Sequence, residues 1–276
     1  MRTIFAIFVV LSVTVTSVHS ADSEKNSNFL IGQWIWSTMD EKIFIETRKS
    51  LPNLVPCIWV STIACSRGTL SQRLAISPRL AKSVSRAAII VRIDDSLHEL
   101  WNTRPPEETA NGIDSHLSKL MELLTAAGID VEEVQLDYDC PVRQLNTWAG
   151  VVRTVVAWSL RGKRVWITSL PAHLGESKYG TWFQDITSGH ILQLFDTGVL
   201  CNQETLQMFS DRLRMQGMPF RVGLGAFERV HSAKTTNHQL WFSALSAFAE
   251  IPGYQGVWVF SGGRKWLNRY PLRITN

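Results

Sequence analysis

Val134-Gln135-Leu136-Asp137-Tyr138-Asp139-Cys140-Pro141 is the stretch whose reading decides the fold. Apolar Val134, Leu136 and Tyr138 alternate with polar Gln135, Asp137 and Asp139. Successive side chains of a strand point to opposite faces. One face is therefore greasy and packs on neighbours, and the other carries an amide and two carboxylates in a row. Burying two like charges on one face is expensive, and their repulsion raises the pKa of at least one. Such a strand suits acid–base chemistry better than a core. The structural alternative is that the carboxylates pair with Arg92 or cap the helix after Pro141, since ion-pair networks also perturb carboxylates.

Outward from this stretch the chain reads as eight short strands alternating with helices. The strands are expected at Phe29 to Ser37, Val55 to Ala64, Ala87 to Asp94, Val131 to Cys140, Lys163 to Leu170, His190 to Asp196, Phe220 to Phe227 and Gly256 to Ser261. Between them, Asp40 to Ser50 reads as a modest helix, and Arg67 to Ser85 shows only weak periodicity. Trp101 to Asn111, with Pro105-Pro106, reads as a loop. Asp114 or Ser115 then caps a helix carrying Leu117, Leu120, Met121 and Leu124 at helical spacing. A clear apolar face from Leu145 to Val156 runs toward Gly162. His173 to Thr187 reads as a helix or long loop, and Asn202 to Gln216 and Thr236 to Ala249 as helices.

This order implies parallel βαβ units. It predicts an α/β protein, a single (β/α)8 TIM barrel with some helices short or missing. The open doubly wound sheet shares the pattern. The barrel is favoured because polar residues recur at strand ends all round the chain: Ser37, Asp94, Asp139, Ser169, Asp196 and Ser261. A barrel gathers them on one rim, whereas an open sheet gathers only those beside its switch point. In the barrel Gln135, Asp137 and Asp139 line one inner wall, with Asp139 nearest the mouth. Asp137 beside it is expected to make Asp139 hold a proton more readily than a free Asp.

The same Gln135-to-Pro141 stretch resembles the signature of domain-of-unknown-function family 3142, an uncharacterised bacterial family placed with the TIM-barrel glycoside hydrolases. More distantly it resembles the fourth-strand motif of family 18 chitinases, Asp-x-Asp-x-Glu. Gln135, Asp137 and Asp139 fall on its three positions. The resemblance implies a carbohydrate substrate. It puts Asp139 in the place of the proton donor and Asp137 in the place of the Asp that positions the acetamido group. Leu192-Gln193-Leu194-Phe195-Asp196 resembles the sixth-strand pattern ending Tyr-Asp, with Phe195 in the Tyr place. Gly256-Val257-Trp258-Val259-Phe260 resembles the eighth strand, whose Trp floors the sugar pocket; Trp258 or Phe260 takes that place.

The expected site thus has Asp139 and Asp137 as acid–base pair, with Gln135, Asp94, Arg92, Gln193, Asp196, Trp258, Phe260 and Trp36 binding the substrate. Arg92 is expected to pair with Asp137 or donate to Gln135. Glycosidases place their two carboxyls on different strands, so Asp196 or Asp94 supplies the second. Gln135 and Phe195 replace groups that the chitinase mechanism uses. They motivate a second reading, a non-catalytic carbohydrate-binding protein on a degenerate barrel.

Arg2 precedes an apolar run from Ile4 to Val15, and Val18-His19-Ser20 offers a cleavage site before Ala21. Residues 1–20 therefore read as a secretory signal peptide. The run is too short to span a bilayer, so no stable membrane insertion is expected. The protein is expected to be secreted or periplasmic, with 21–276 as one barrel domain. The formal net charge is +4 with no basic stripe, and nucleic acid is not implied. Eleven Trp fit a sugar cleft, because sugar C–H faces pack on aromatic rings, although most would fill the core.

Four cysteines, Cys57, Cys65, Cys140 and Cys201, allow three full pairings. Export permits disulfides. Cys65, Cys140 and Cys201 fall near one rim, so a bridge among them is expected without the sequence choosing it. With no Cys-x-x-Cys and no closely spaced His pair, neither zinc nor another cofactor is implied. A phosphodiester hydrolase would want those groups.

Overall fold

The structure is a computed structural model and describes residues 29–75, 86–227, 238–270 and 272. The expected signal peptide lies outside the described residues, as does the start of the helix expected at Thr236. In chain order the strands are β1 (Leu30–Ile35), β2 (Val55–Ser66), β3 (Thr69–Leu74), β4 (Arg86–Ile93), β5 (Asp130–Asp137), β6 (Arg164–Ser169), β7 (Gly189–Gln193), β8 (Phe220–Gly225) and β9 (Tyr254–Phe260). All but β3 run parallel to their neighbours, and β1 pairs with both β2 and β9. The sheet therefore closes on itself, and the fold is a (β/α)8 TIM barrel with helices between strands.

The helices differ from the sequence reading in instructive ways. The helix between β4 and β5 spans Pro106–Ala126 and absorbs most of the expected loop. Pro106 sits in its first turn, where a missing N–H leaves nothing unpaired. Glu107 and Glu108 then face the positive end of the helix dipole. The helix after β5 ends at Ala157, short of Gly162. Only a 3-10 turn, Pro171–Gly175, and a short helix, Tyr179–Phe183, lie between β6 and β7. The segment before β9 breaks into His238–Ser243 and Leu245–Ala249.

Where Arg67 to Ser85 reads as weakly periodic, the chain instead folds back as β3, antiparallel to the end of β2. Arg67 (φ 52) and Gly68 (φ 73) make the two-residue turn, the conformation that tight hairpins require. The four cysteines are free thiols, so the expected bridge is not formed. Cys65 and Cys140 pack in one core cluster and Cys201 against the other, which separates Cys201 from both.

The barrel interior is filled by large rings seated over glycines. Trp34, Trp166 and Trp258 belong to the inner cluster with Cys57, Ala88, Ile90 and Ile191. A Cβ on Gly32 would lie 2.0 Å from the Trp258 ring, one on Gly223 2.6 Å from Trp34, and one on Gly189 2.6 Å from Trp166. Trp34 and Trp258 stack with centroids 6.3 Å apart and planes 7° apart. Gly32→Ala is therefore expected to lower stability by about 1–3 kcal/mol, the usual penalty of overpacking. Thermal melting checks this, and an unchanged midpoint would contradict the packing described.

Candidate functional site

β5 ends at Asp137, and the chain leaves the strand through Tyr138 to Pro141. Tyr138 between the two carboxylates is buried, 1 % exposed. Its ring lies edge-on to Trp148 with centroids 5.0 Å apart, and its hydroxyl accepts from Trp101 Nε1 at 2.7 Å. Its N–H donates to Thr168 Oγ1 at 3.0 Å.

The next turn is fixed as well. Cys140 N donates to Tyr138 O at 2.8 Å. His173 Nδ1 accepts from Leu170 N at 3.1 Å, so its proton sits on Nε2 and is donated to Cys140 O at 2.7 Å. Burial lowers the pKa of His173 and keeps the ring neutral. Buried anchors on both sides of Asp139 thus set its backbone.

At the carboxyl ends of the strands lies a cleft of about 600 Å³. Its deep wall has Trp34, Ile90 and Gln135; its carboxylates are Asp95, Asp137, Asp139 and Asp196; Trp36, Phe195 and Phe260 supply aromatic walls. Asp137 Oδ1 accepts from Gln193 Nε2 at 3.1 Å. Burial first, and the charge of Asp139 second, push the Asp137 pKa from 3.8 up to about 6, against the pull of Arg92, Thr168 and Gln193. Asp139 is also raised, by burial first and the charge of Asp95 second, with Arg92 opposing.

The expected direction of influence is thus reversed. The deeper Asp137 responds to Asp139, because it is the group more removed from water. Both carboxyls are raised, and the pair loses its protons in two linked steps.

Several expected residues sit elsewhere. Asp94 caps the turn Asp95–Leu97 by accepting from Ser96 N at 3.0 Å, and it is Asp95 that lines the cleft. Trp258 is fully buried beneath Trp34, so Phe260 is the eighth-barrel-strand aromatic that reaches the cleft. Arg92 lines the cleft and is exposed. Among the described residues it bonds neither Asp137 nor Gln135, although β4 registers it beside Asp137. A guanidinium loses less hydration by staying in the open mouth than by sinking between strands.

Gln135 is satisfied from within the barrel instead. Its Oε1 accepts from Trp34 Nε1 at 2.7 Å, and its Nε2 donates to Glu133 Oε1 at 2.9 Å. Glu133 in turn pairs with Arg221 at 2.7 Å, with side-chain exposures of 2 % and 4 %. The Arg221 guanidinium lies 3.7 Å over the Trp166 ring. Trp36, Gln193, Asp196 and Phe260 line the cleft together with Asp137 and Asp139. Asp196 holds a left-handed φ of 56, a conformation that Asp tolerates better than most residues. β7 ends at Gln193, earlier than expected, and this turn swings Asp196 to the rim.

Trp34, Asp95, Thr168, Glu133 and Arg221 were not singled out from the sequence. Strand parity was the available signal for Glu133, two residues before Gln135, and for Trp34, two before Trp36. Asp40 is a further buried acid, 2 % exposed. Ser261 Oγ and Gly263 N donate to its Oδ1, and Trp36 N and Ser37 Oγ to its Oδ2. It joins the ends of β1 and β9. Among the described residues no three His, Cys, Asp or Glu gather as metal ligands would, and no helix is long and apolar enough to cross a membrane.

Neither protein-family models nor curated protein sequences match this chain. Solved structures share its fold at low identity. The chitinase of Chromobacterium violaceum ATCC 12472 superposes with a TM-score of 0.62 at 9 % identity, covering 90 % of this chain and 100 % of that one. The chitinase RmChi1 of Rhizomucor miehei gives 0.57 at 9 % identity, over 85 % and 94 %. The xylanase-alpha-amylase inhibitor protein XAIP-I, crystallised with trehalose, gives 0.56 at 11 % identity, over 89 % and 97 %. The barrel is thus of the kind that chitinases and other glycoside-hydrolase-like proteins adopt.

Proposed function

We propose that this chain is an exported glycoside-hydrolase-like protein that binds a glycan in the barrel mouth and cleaves it by general-acid chemistry. One observation carries the reading: Asp137 and Asp139, both with raised proton affinity, stand side by side in an aromatic-walled cleft at the carboxyl ends of the strands. That end is where TIM-barrel enzymes carry their chemistry. The fold shared with the two chitinases supports the same reading.

The deeper burial of Asp137 and its pKa of about 6 favour it as the donor to the leaving oxygen, with Asp139 beside it, rather than the roles expected from the sequence. A carboxylic acid with a pKa of about 6 is matched to general-acid work near neutral pH. Gln193 holds the Asp137 carboxyl in place. Asp196 or Asp95 is available to activate water or steady charge on the opposite side of the sugar.

The second reading is a carbohydrate-binding protein without turnover. It is favoured by the commitment of Gln135 to Trp34 and Glu133, by the missing hydroxyl at Phe195, and by the shared fold of an inhibitor protein crystallised with trehalose. Glycan-array binding with reducing-end assays on the bound glycans separates the two. Release that Asp137→Asn abolishes supports the first reading; binding without release supports the second. For export, the expected mature product begins at or near Ala21. Intact mass of the secreted protein checks this, and a product that retains Met1 to Ser20 would count against cleavage.

A further inference from the structure

Arg92 lines the cleft, and a second exposed arginine, Arg73, stands level with it on the rim hairpin. β2 runs for 12 residues and outlasts the other barrel strands, and β3 extends it beyond the mouth. Thr62 of β2 is registered with Arg92 of β4 on one side and with Arg73 of β3 on the other. Residues level with one another on adjacent strands project to the same face. Arg73, Thr62 and Arg92 therefore form one row.

The side chains show which way the row faces. Arg92 lines the cleft. Thr62 Oγ1 accepts from Trp59 Nε1 at 3.2 Å, and the Arg73 guanidinium lies 5.3 Å over the Trp59 ring. Trp59 stacks on Trp36, with centroids 5.3 Å apart, and Trp36 lines the cleft. On the opposite parity of β3, Leu70 turns away and packs toward Gly112 of the helix Pro106–Ala126.

Both arginines are exposed, and among the described residues neither forms an ion pair. Asp94, an acid that feels both of them, is already bonded to Ser96. A guanidinium stays charged at any physiological pH, and its planar fork matches a carboxylate or sulfate.

We propose that Arg92 and Arg73 form a subsite for a sugar bearing an anionic group, a uronic-acid carboxylate or a sulfate ester, whose ring packs against Trp36. The proposal rests on the glycan reading above and names its substrate class. Asp95, Asp137 and Asp139 make the other part of the cleft acidic, so an anionic sugar is held at the hairpin side.

The test uses the mature protein on a glycan array with matched sets: uronic-acid oligosaccharides, their carboxyl-reduced counterparts, and sulfated and desulfated pairs. The expected result is that anionic members bind at least about tenfold more tightly than their neutral partners, with affinity falling as salt rises. The double variant Arg92→Gln, Arg73→Gln is expected to erase that preference while the protein still folds, as its circular-dichroism spectrum checks, since both side chains are exposed. Comparing the carboxylate and sulfate sets identifies the anion. Equal binding of neutral partners, or a preference that survives in the double variant, would overturn the subsite. If neutral glycans are bound and cleaved in an Asp137-dependent way, the subsite falls and the hydrolase reading stands; if no glycan of either kind binds, both fall.

Discussion

Replacing Asp137 by Asn is expected to lower turnover by roughly two to four orders of magnitude and, above pH 6, to make the protein more stable. The two effects share one cause. The Asp137 carboxyl is held in a site that disfavours its charge, so its pKa rises from 3.8 to about 6. Between those values the folded state keeps a proton that the unfolded chain has lost. Folding stability therefore falls as pH rises through this window, and above it the native state carries the full penalty. A shift of about 2 units at about 1.4 kcal/mol each sets that penalty at up to roughly 3 kcal/mol.

Asn keeps the shape and has no proton to lose, so its stability should be flat across the window. Melting curves at pH 4.5 and 7.5, with turnover on the same preparations, read both. Unchanged turnover would end the catalytic assignment. Asp139→Asn gives a sharper check on roles. It removes the charge that helps raise Asp137, so any remaining activity should lose its alkaline limb at a lower pH. A limb that stays in place would assign the titration to another group.

Arg221→Met is expected to cost about 3–5 kcal/mol, because it leaves Glu133 as an uncompensated charge inside the barrel. The ion pair at 2.7 Å is almost wholly withdrawn from water. Glu133 also accepts from Gln135, which holds the Trp34 indole, so the loss would reach the deep wall of the cleft. Adding Glu133→Gln should restore most of the stability, since an amide oxygen can still accept from Gln135 and no charge remains buried. Denaturant unfolding of the single and double variants decides it. A single variant within 1 kcal/mol of the parent would show that the pair is not needed.

The barrel was legible because period-two patterning around Gln135 to Pro141 and the recurrence of strand-end polar residues are local facts. The closure of β1 on β9 was only implied by them. Elements set by long-range contact were less legible. β3 exists because Arg67-Gly68 turns the chain back on β2, and its short alternation does not stand out from a polar surface. Pro105-Pro106 looks like a loop until Pro106 is seen to start a helix. In the site, parity placed Gln135, Asp137 and Asp139 on one wall. It could not show that Gln135 is consumed by the interior, or that the long Arg92 side chain would remain in the mouth. Asp94 and Asp95 differ by one residue, and only the path of the turn decides which one faces the cleft.

The seam at Asp40 bears on how the chain matures. Its bond to Ser261 spans 221 residues, and β1 is registered against β9 from Leu30 to Trp34. During synthesis the first strand therefore waits for almost the last one. Until Tyr254 to Gly263 have emerged, β1 presents an unpaired edge, the feature most prone to pairing with a second chain. Contacts this distant in sequence also slow the final step of folding. The export proposed above would be served by this ordering, because β1 cannot close on β9 until Tyr254 to Gly263 have followed.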